Sequence, residues 1–128
     1  MQIKLFIACL LIAAKASFAF DINDDIASAI RSGNSKAIAA YFNNNVDLKI
    51  LEHEDVYSKA QAELIIKDFF AKHAVKSFNI VHQSAKVESQ FAIGKLETTN
   101  GKYRVYILLK KSGDKLLIQQ FRIEPENE

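Results

Sequence analysis

The sequence predicts an α+β domain, with helices laid on one face of a curved antiparallel sheet in the order α-α-β-β-α-β-β-β-β. Three observations carry this. Apolar residues recur at helical spacing between Asp21 and Phe42 and again between Ser58 and His73. Four runs between Ser77 and Glu124 alternate with a period of two. The turns between those runs are short, which makes the neighbouring strands antiparallel. A chain of 128 residues, 49% hydrophobic and 25% charged, with one Pro, four Gly and one Cys, fits one globular domain and excludes a disordered tail, collagen and a disulfide scaffold.

Residues 1–19 read as an export signal. Met1-Gln2-Ile3-Lys4 is a short basic start, Leu5 to Ala14 is apolar, and Ser17-Phe18-Ala19 offers a small-x-small cleavage site. Cleavage is expected after Ala19, leaving a domain over residues 20–128 that is periplasmic or extracellular. The apolar run is about half the roughly 20 residues a membrane span requires, and it ends at Lys15. Cys9 is a poor candidate for lipid attachment, because little apolar sequence precedes it and Phe6-Ile7-Ala8 does not resemble a lipidation box. Of the 17 basic residues, Lys4 and Lys15 leave with the leader; 15 remain against 15 acidic ones. The mature chain therefore carries no global field to attract nucleic acid or anionic lipid. Its only cysteine also leaves, so its stability rests on the core.

Each element has a local cause. Ile22, Ile26, Ala29 and Ile30 form the first helical stripe, behind the acidic residues Asp21, Asp24 and Asp25, which suit the positive end of a helix dipole. Gly33-Asn34 ends it, and Ser35 is a candidate cap for a short second helix with Ile38, Tyr41 and Phe42 on its stripe. Asn43-Asn44-Asn45 breaks the pattern. Val46 to Ile50 alternates as a half-buried strand, the charged run Glu52 to Asp55 turns, and Val56-Tyr57 returns. Ser58 and Gln61 form a capping box for the longest helix, whose face is Ala62, Ile65, Ile66, Phe69 and Phe70 and whose end lies near His73. Four strands follow, Ser77–Ser84, Val87–Thr98, Lys102–Lys111 and Lys115–Glu124, with hairpin turns expected at Asn100-Gly101 and Ser112-Gly113-Asp114.

This order resembles the nuclear transport factor 2-like fold, the half-cone relative of the cystatin fold. Local sequence is also similar to a family of secreted bacterial domains of unknown function within that superfamily. The residues concerned are Tyr57 to Glu63, Asp68-Phe69-Phe70, Ser77 to His82, Ile93 to Leu96 and Gly101 to Ile107. The resemblance spans the mature chain and rests on structural motifs, so it implies a fold and no activity.

Alternation sorts the strands into two lists. Phe78, Ile80, His82, Phe91, Ile93, Tyr103, Val105, Ile107, Leu109, Leu117, Gln119, Phe121 and Ile123 are expected inside the cone. There Phe42, Tyr57, Phe69, Phe78, His82 and Phe121 are the candidate lining of a pocket for a small apolar ligand. The second list is expected on the open face and mixes charge with apolar residues. Val81, Arg104, Tyr106, Leu108, Ile118, Gln120 and Arg122 from it are the candidate homodimer surface, a use of this face that is common in the superfamily the chain resembles.

Catalytic signals are sparse. His53, His73 and His82 match no zinc spacing, and no cofactor motif, catalytic cysteine or nucleophile elbow occurs. The stretch Lys102 to Tyr106 lacks the spacing of an RNA-binding strand. Enzymes of the resembled fold, such as ketosteroid isomerases, place a carboxylate base and a Tyr or acid donor in the cone. Here Tyr41, Tyr57, Tyr103 and Asp47 are available, but Asp47 alternates with Val46 and Leu48 and should point away. The expectation is a non-catalytic binding domain, with a small lyase or isomerase as the alternative.

Overall fold

The computed structural model describes residues 22–127; the leader and the expected new N-terminus at Phe20 lie outside them. Two short helices come first, α1 (Ile22–Arg31) and α2 (Ser35–Ala39). The hairpin β1 (Phe42–Ile50) and β2 (His53–Ser58) leads into α3 (Lys59–Lys72). Then come β3 (Val75–Ala85), β4 (Ser89–Thr98), β5 (Gly101–Ser112) and β6 (Lys115–Pro125). They form one open sheet in the order β2-β1-β6-β5-β4-β3. All neighbours are antiparallel except β1 and β6, which run parallel. The sheet is thus mixed at one seam, because the chain must cross through α3 and three further strands before β6 returns to β1.

The helix signals act as expected, with two shifts: the cap of α2 moves by one residue, and α2 ends at Ala39, so Tyr41 and Phe42, expected on its stripe, lie beyond it and Phe42 opens β1. At the end of α1, Gly33 takes φ 64°, and its N–H and that of Asn34 bond back to Ile30 and Ala29. The cap of α2 is Asn34, whose Oδ1 accepts the Ala37 N–H at 3.0 Å, and Ser35 is the first helical residue. Ser58 and Gln61 form the complete capping box of α3.

The helices cover one face of the sheet. Ile26, Ile30, Ile38, Ala62, Ile66, Phe69 and Phe70 pack on Phe42, Leu48, Phe78, Leu96, Tyr103, Val105, Ile107, Leu109, Phe121 and Ile123 in one continuous buried cluster. The greasy side of the C-terminal strands therefore closes against the helices.

Bulges change which residues reach that core. On β6, Leu108 pairs with Gln120 but Leu109 pairs with Ile118, so Gln119 is an extra residue. Beyond it the parity flips: Ile118 is fully buried and Leu116 packs on the core, while Leu117, paired with Lys110, faces out. On β3, Ile80 pairs with Gly94 and His82 with Ile93, leaving Val81 as the extra residue. The whole of β4 is also inverted relative to the sequence expectation. Ala92, Gly94 and Leu96 face the core opposite Ile107, Val105 and Tyr103, and Phe91 and Ile93 face out opposite Leu108 and Tyr106. Small residues are inside because the Phe78 ring already occupies the space above Gly94.

Three turns differ from expectation. The charged run Glu52 to Asp55 is not the β1–β2 turn: His53, Glu54 and Asp55 belong to β2 and pair with Ile50, Lys49 and Leu48, and Leu51-Glu52 makes the turn. Asn43-Asn44-Asn45 belongs to β1 as an irregular stretch, since the register to β6 slips between Phe42 and Asp47. In the β4–β5 hairpin Thr98 pairs with Gly101, so the central residues are Thr99 and Asn100 rather than Asn100 and Gly101. Tertiary bonds outweigh the local turn preference: the Thr99 N–H reaches the Ala74 carbonyl at 2.9 Å, and Asn100 donates to the Lys72 carbonyl at 3.1 Å.

Candidate functional site

Two surfaces stand out, one at the mouth of the half-cone and one on the open face of the sheet. The interior between them is filled. Phe42, Phe78 and Phe121, expected to line a pocket, are buried at 2%, 1% and 0% exposure inside the packed core. The Phe42 and Phe121 rings meet edge to face at 5.9 Å. His82 is on the opposite side of the sheet, beside Phe91 with ring centres 5.6 Å apart. The bulge at Val81 puts it there. Tyr57 and Phe69 do border a cavity, but a different one.

That cavity, of about 420 Å³, lies between the β1–β2 turn and the C-terminal half of α3. Ile50, Leu51, Tyr57, Ile65 and Phe69 supply its apolar wall, and His53, Asp68, Lys72 and His73 its polar rim. Its volume falls within the roughly 300–1,000 Å³ usual for small-molecule sites. Leu51 holds φ 59°, alone among the described non-glycine residues in having positive φ. Leucine in that region costs about 1–2 kcal/mol. The turn is pinned there by the Leu51 N–H, which donates to the Ile123 carbonyl at 2.8 Å. Ile50 pairs with His53, so Leu51 is the first central residue of a two-residue hairpin turn, where positive φ matches the twist of the strands.

His73 is held from three sides. Its ring stacks on Phe69, with centres 4.2 Å apart. Its Nδ1 lies 2.8 Å from Asn100 Oδ1 and 3.2 Å from the Tyr103 hydroxyl. Asn100 is itself oriented, because its amide nitrogen must face the Lys72 carbonyl it donates to. Its oxygen, which can only accept, therefore faces His73, and the Nδ1 must carry the proton. In the neutral ring this leaves Nε2 as a hydrogen-bond acceptor. In the sequence His73 reads only as the end of the longest helix. Only the shifted β4–β5 turn brings Asn100 and Tyr103 to it.

On the open face, Arg104, Tyr106, Leu108, Gln120 and Arg122 lie together as expected, and Val81 protrudes at 49% exposure. Ile118 does not belong to this surface; the β6 bulge turns it into the core. Phe91, Ile93 and Leu117 replace it. With Tyr106 and Leu108 they form a half-buried apolar patch, linked through the pairs Phe91–Leu108 and Ile93–Tyr106. A charged ladder flanks it. Glu124 accepts from Lys49 at 3.2 Å and from Arg122 at 3.0 Å, and Arg122 also reaches Glu54 at 3.1 Å. Burial pushes the Glu124 carboxyl up, but the Lys49 and Arg122 bonds outweigh it and hold it below the usual range. Asp47 goes the other way: burial and the neighbouring Glu54 raise it, and Arg122 offsets this only in part.

Among the described residues no cluster of His, Cys, Asp and Glu suited to a metal ion is present, and no helix is long and apolar enough to cross a membrane.

A three-helix, six-strand open sheet with one filled concave face defines a domain of the nuclear transport factor 2-like and cystatin-like class. A nuclear transport factor 2-like design shares it at a TM-score of 0.64 and 13% identity, over 80% of this chain and 92% of that one. A cystatin-like domain of unknown function from Nostoc punctiforme shares it at 0.66 and 9%, over 83% and 74%. More particularly, the model of a domain of unknown function, DUF4783, matches residues 23–124, and the chain belongs to that family. A DUF4783 protein from Bacteroides uniformis is 36% identical with a TM-score of 0.81, over 84% of this chain and 100% of that one. One from Bacteroides ovatus is 36% identical at 0.77, over 81% and 94%. The comparison with curated proteins gave no match.

Proposed function

We propose that the protein is an exported, non-catalytic binding domain whose main working surface is the open sheet face, where two copies of the chain pair. The observation that carries this is the contiguous patch of Phe91, Ile93, Tyr106, Leu108 and Leu117 on a face that none of the described helices covers. The neighbouring charges already neutralise one another in the Lys49, Glu54, Arg122 and Glu124 ladder, so two such faces meet without strong repulsion. Export rests on the leader sequence, with Phe20 as the mature start. The core cluster is hydrocarbon apart from Tyr103, and among the described residues no carboxylate is hydrogen-bonded to the His73–Tyr103 pair, which supports a non-catalytic role. Asp47, the carboxylate the isomerase alternative would use, sits in the outer row of the sheet beside Gln120.

The cavity under the β1–β2 turn supports a second binding element, for a small apolar ligand.

Light scattering on the mature domain at tens of micromolar tests the pairing. A dimer is expected for the unaltered chain, and a folded monomer for Leu108→Asp. A clean monomer in the unaltered protein would end this reading.

A further inference from the structure

We propose that the cavity takes a small neutral apolar molecule carrying one hydroxyl group, a bicyclic or similarly compact alcohol or phenol, whose hydroxyl donates to His73 Nε2. The proposal rests on the cavity being a ligand site and adds what that site selects.

The ring is presented as an acceptor. Asn100 Oδ1 at 2.8 Å fixes the proton on Nδ1, and Asn100 is fixed in turn by the Lys72 carbonyl. Nδ1 is thereby occupied, while Nε2 makes no hydrogen bond within the described chain and His73 borders the cavity. The stack on Phe69 prevents the ring from swinging out of this orientation. An acceptor lone pair at the edge of an apolar wall favours a ligand that can donate one bond.

The rim argues against a charged ligand. Asp68 and Lys72, its two formally charged groups, pair with each other at 3.1 Å and cancel. A carboxylate would have to compete with Asp68 for Lys72 and would set its own lone pairs against Nε2. The apolar wall of Ile50, Leu51, Ile65 and Phe69 suits a flat hydrocarbon body. Leu51, turned by the β1–β2 hairpin, adds its side chain to that wall.

The test uses 1-naphthol and 1-methoxynaphthalene, which share a hydrocarbon body and differ in the ability to donate. The chain has no tryptophan, so naphthalene emission reads binding directly. The unaltered domain is expected to hold 1-naphthol about fivefold or more tighter than its methyl ether, the ratio one net hydrogen bond supplies. His73→Phe keeps the stack on Phe69 and should bind both probes equally. A measurement independent of any variant is the ¹⁵N resonance of His73 Nε2, which should shift with 1-naphthol and stay in place with the ether. Val87→Asp, at an exposed position in the turn between β3 and β4, should leave the ratio unchanged. Equal affinities with an unmoved Nε2 would overturn the donor selectivity and leave the cavity as a ligand site. No binding of either probe at millimolar concentration would overturn both.

Discussion

Gly94 lies directly under the ring of Phe78: a β-carbon added to Gly94 would sit 2.3 Å from the ring's Cζ and 2.4 Å from Cε1. Phe78 is 1% exposed and locked between β3 and the helices, so the ring has nowhere to retreat. The glycine is required by space rather than by backbone conformation.

Gly94→Ala is therefore expected to destabilise the domain by about 2–3 kcal/mol, at the upper end of ordinary overpacking. The urea-unfolding midpoint reads it. Adding Phe78→Leu should recover part of the loss, giving a coupling energy that neither single change predicts. If the two substitutions are additive, the ring is not what excludes a side chain at position 94.

The β6 bulge makes a second prediction, because it reverses the roles of two adjacent residues. Ile118 is fully buried and Leu117 is half-buried on the outer face. Ile118→Ala should cost about 2–5 kcal/mol through lost contacts and a residual cavity. Leu117→Ala should cost less than about 1 kcal/mol in the folded domain and should weaken self-association instead. Without the bulge the order of the two costs would be inverted, so thermal and urea denaturation of this pair report the register directly.

These two sites also explain what was legible in the sequence. Signals that act within one turn of chain can be read: the Ser58–Gln61 box, the glycine stop at Gly33 and the Ser112 to Asp114 hairpin all act locally. The inner face of β5, Tyr103 to Leu109, was legible because its alternation runs unbroken. Parity was lost wherever a bulge intervened, since one extra residue moves every later side chain to the other face. It was lost on β4 for a different reason. Phe91 and Ile93 are the more apolar set, yet the core there accepts only Ala92 and Gly94, since a ring from β3 fills the volume. Hydrophobicity alone carries no information about a neighbour's bulk. The cone-mouth cavity was illegible for a similar reason. It depends on a hairpin register that Asn100 sets through partners 27 and 28 residues away.

The third prediction concerns pH, and two carboxylates on the outer face should act in opposite directions. Glu124 has its pKa lowered in the folded state, so it stabilises the domain above the unfolded value near 4.5, and that contribution fades as pH falls through the folded value. Asp47 has its pKa raised from 3.8, so the folded state binds its proton more tightly; ionisation then costs stability as pH rises through the folded value. Glu124→Gln should thus lower stability at pH 7, leaving Lys49 and Arg122 short of a partner, with the deficit shrinking in acid. Asp47→Asn should raise stability at pH 7, and the gain should vanish below the ordinary carboxylate range, where Asp47 is protonated in both states. Both groups are partly solvated, so each effect is expected to be about 1 kcal/mol or less. Urea midpoints between pH 3 and 7 for the two variants separate the signs. A gain from Asp47→Asn that persists unchanged in acid would trace to packing or to the unfolded chain, and would remove the Glu54 and burial account of the raised pKa.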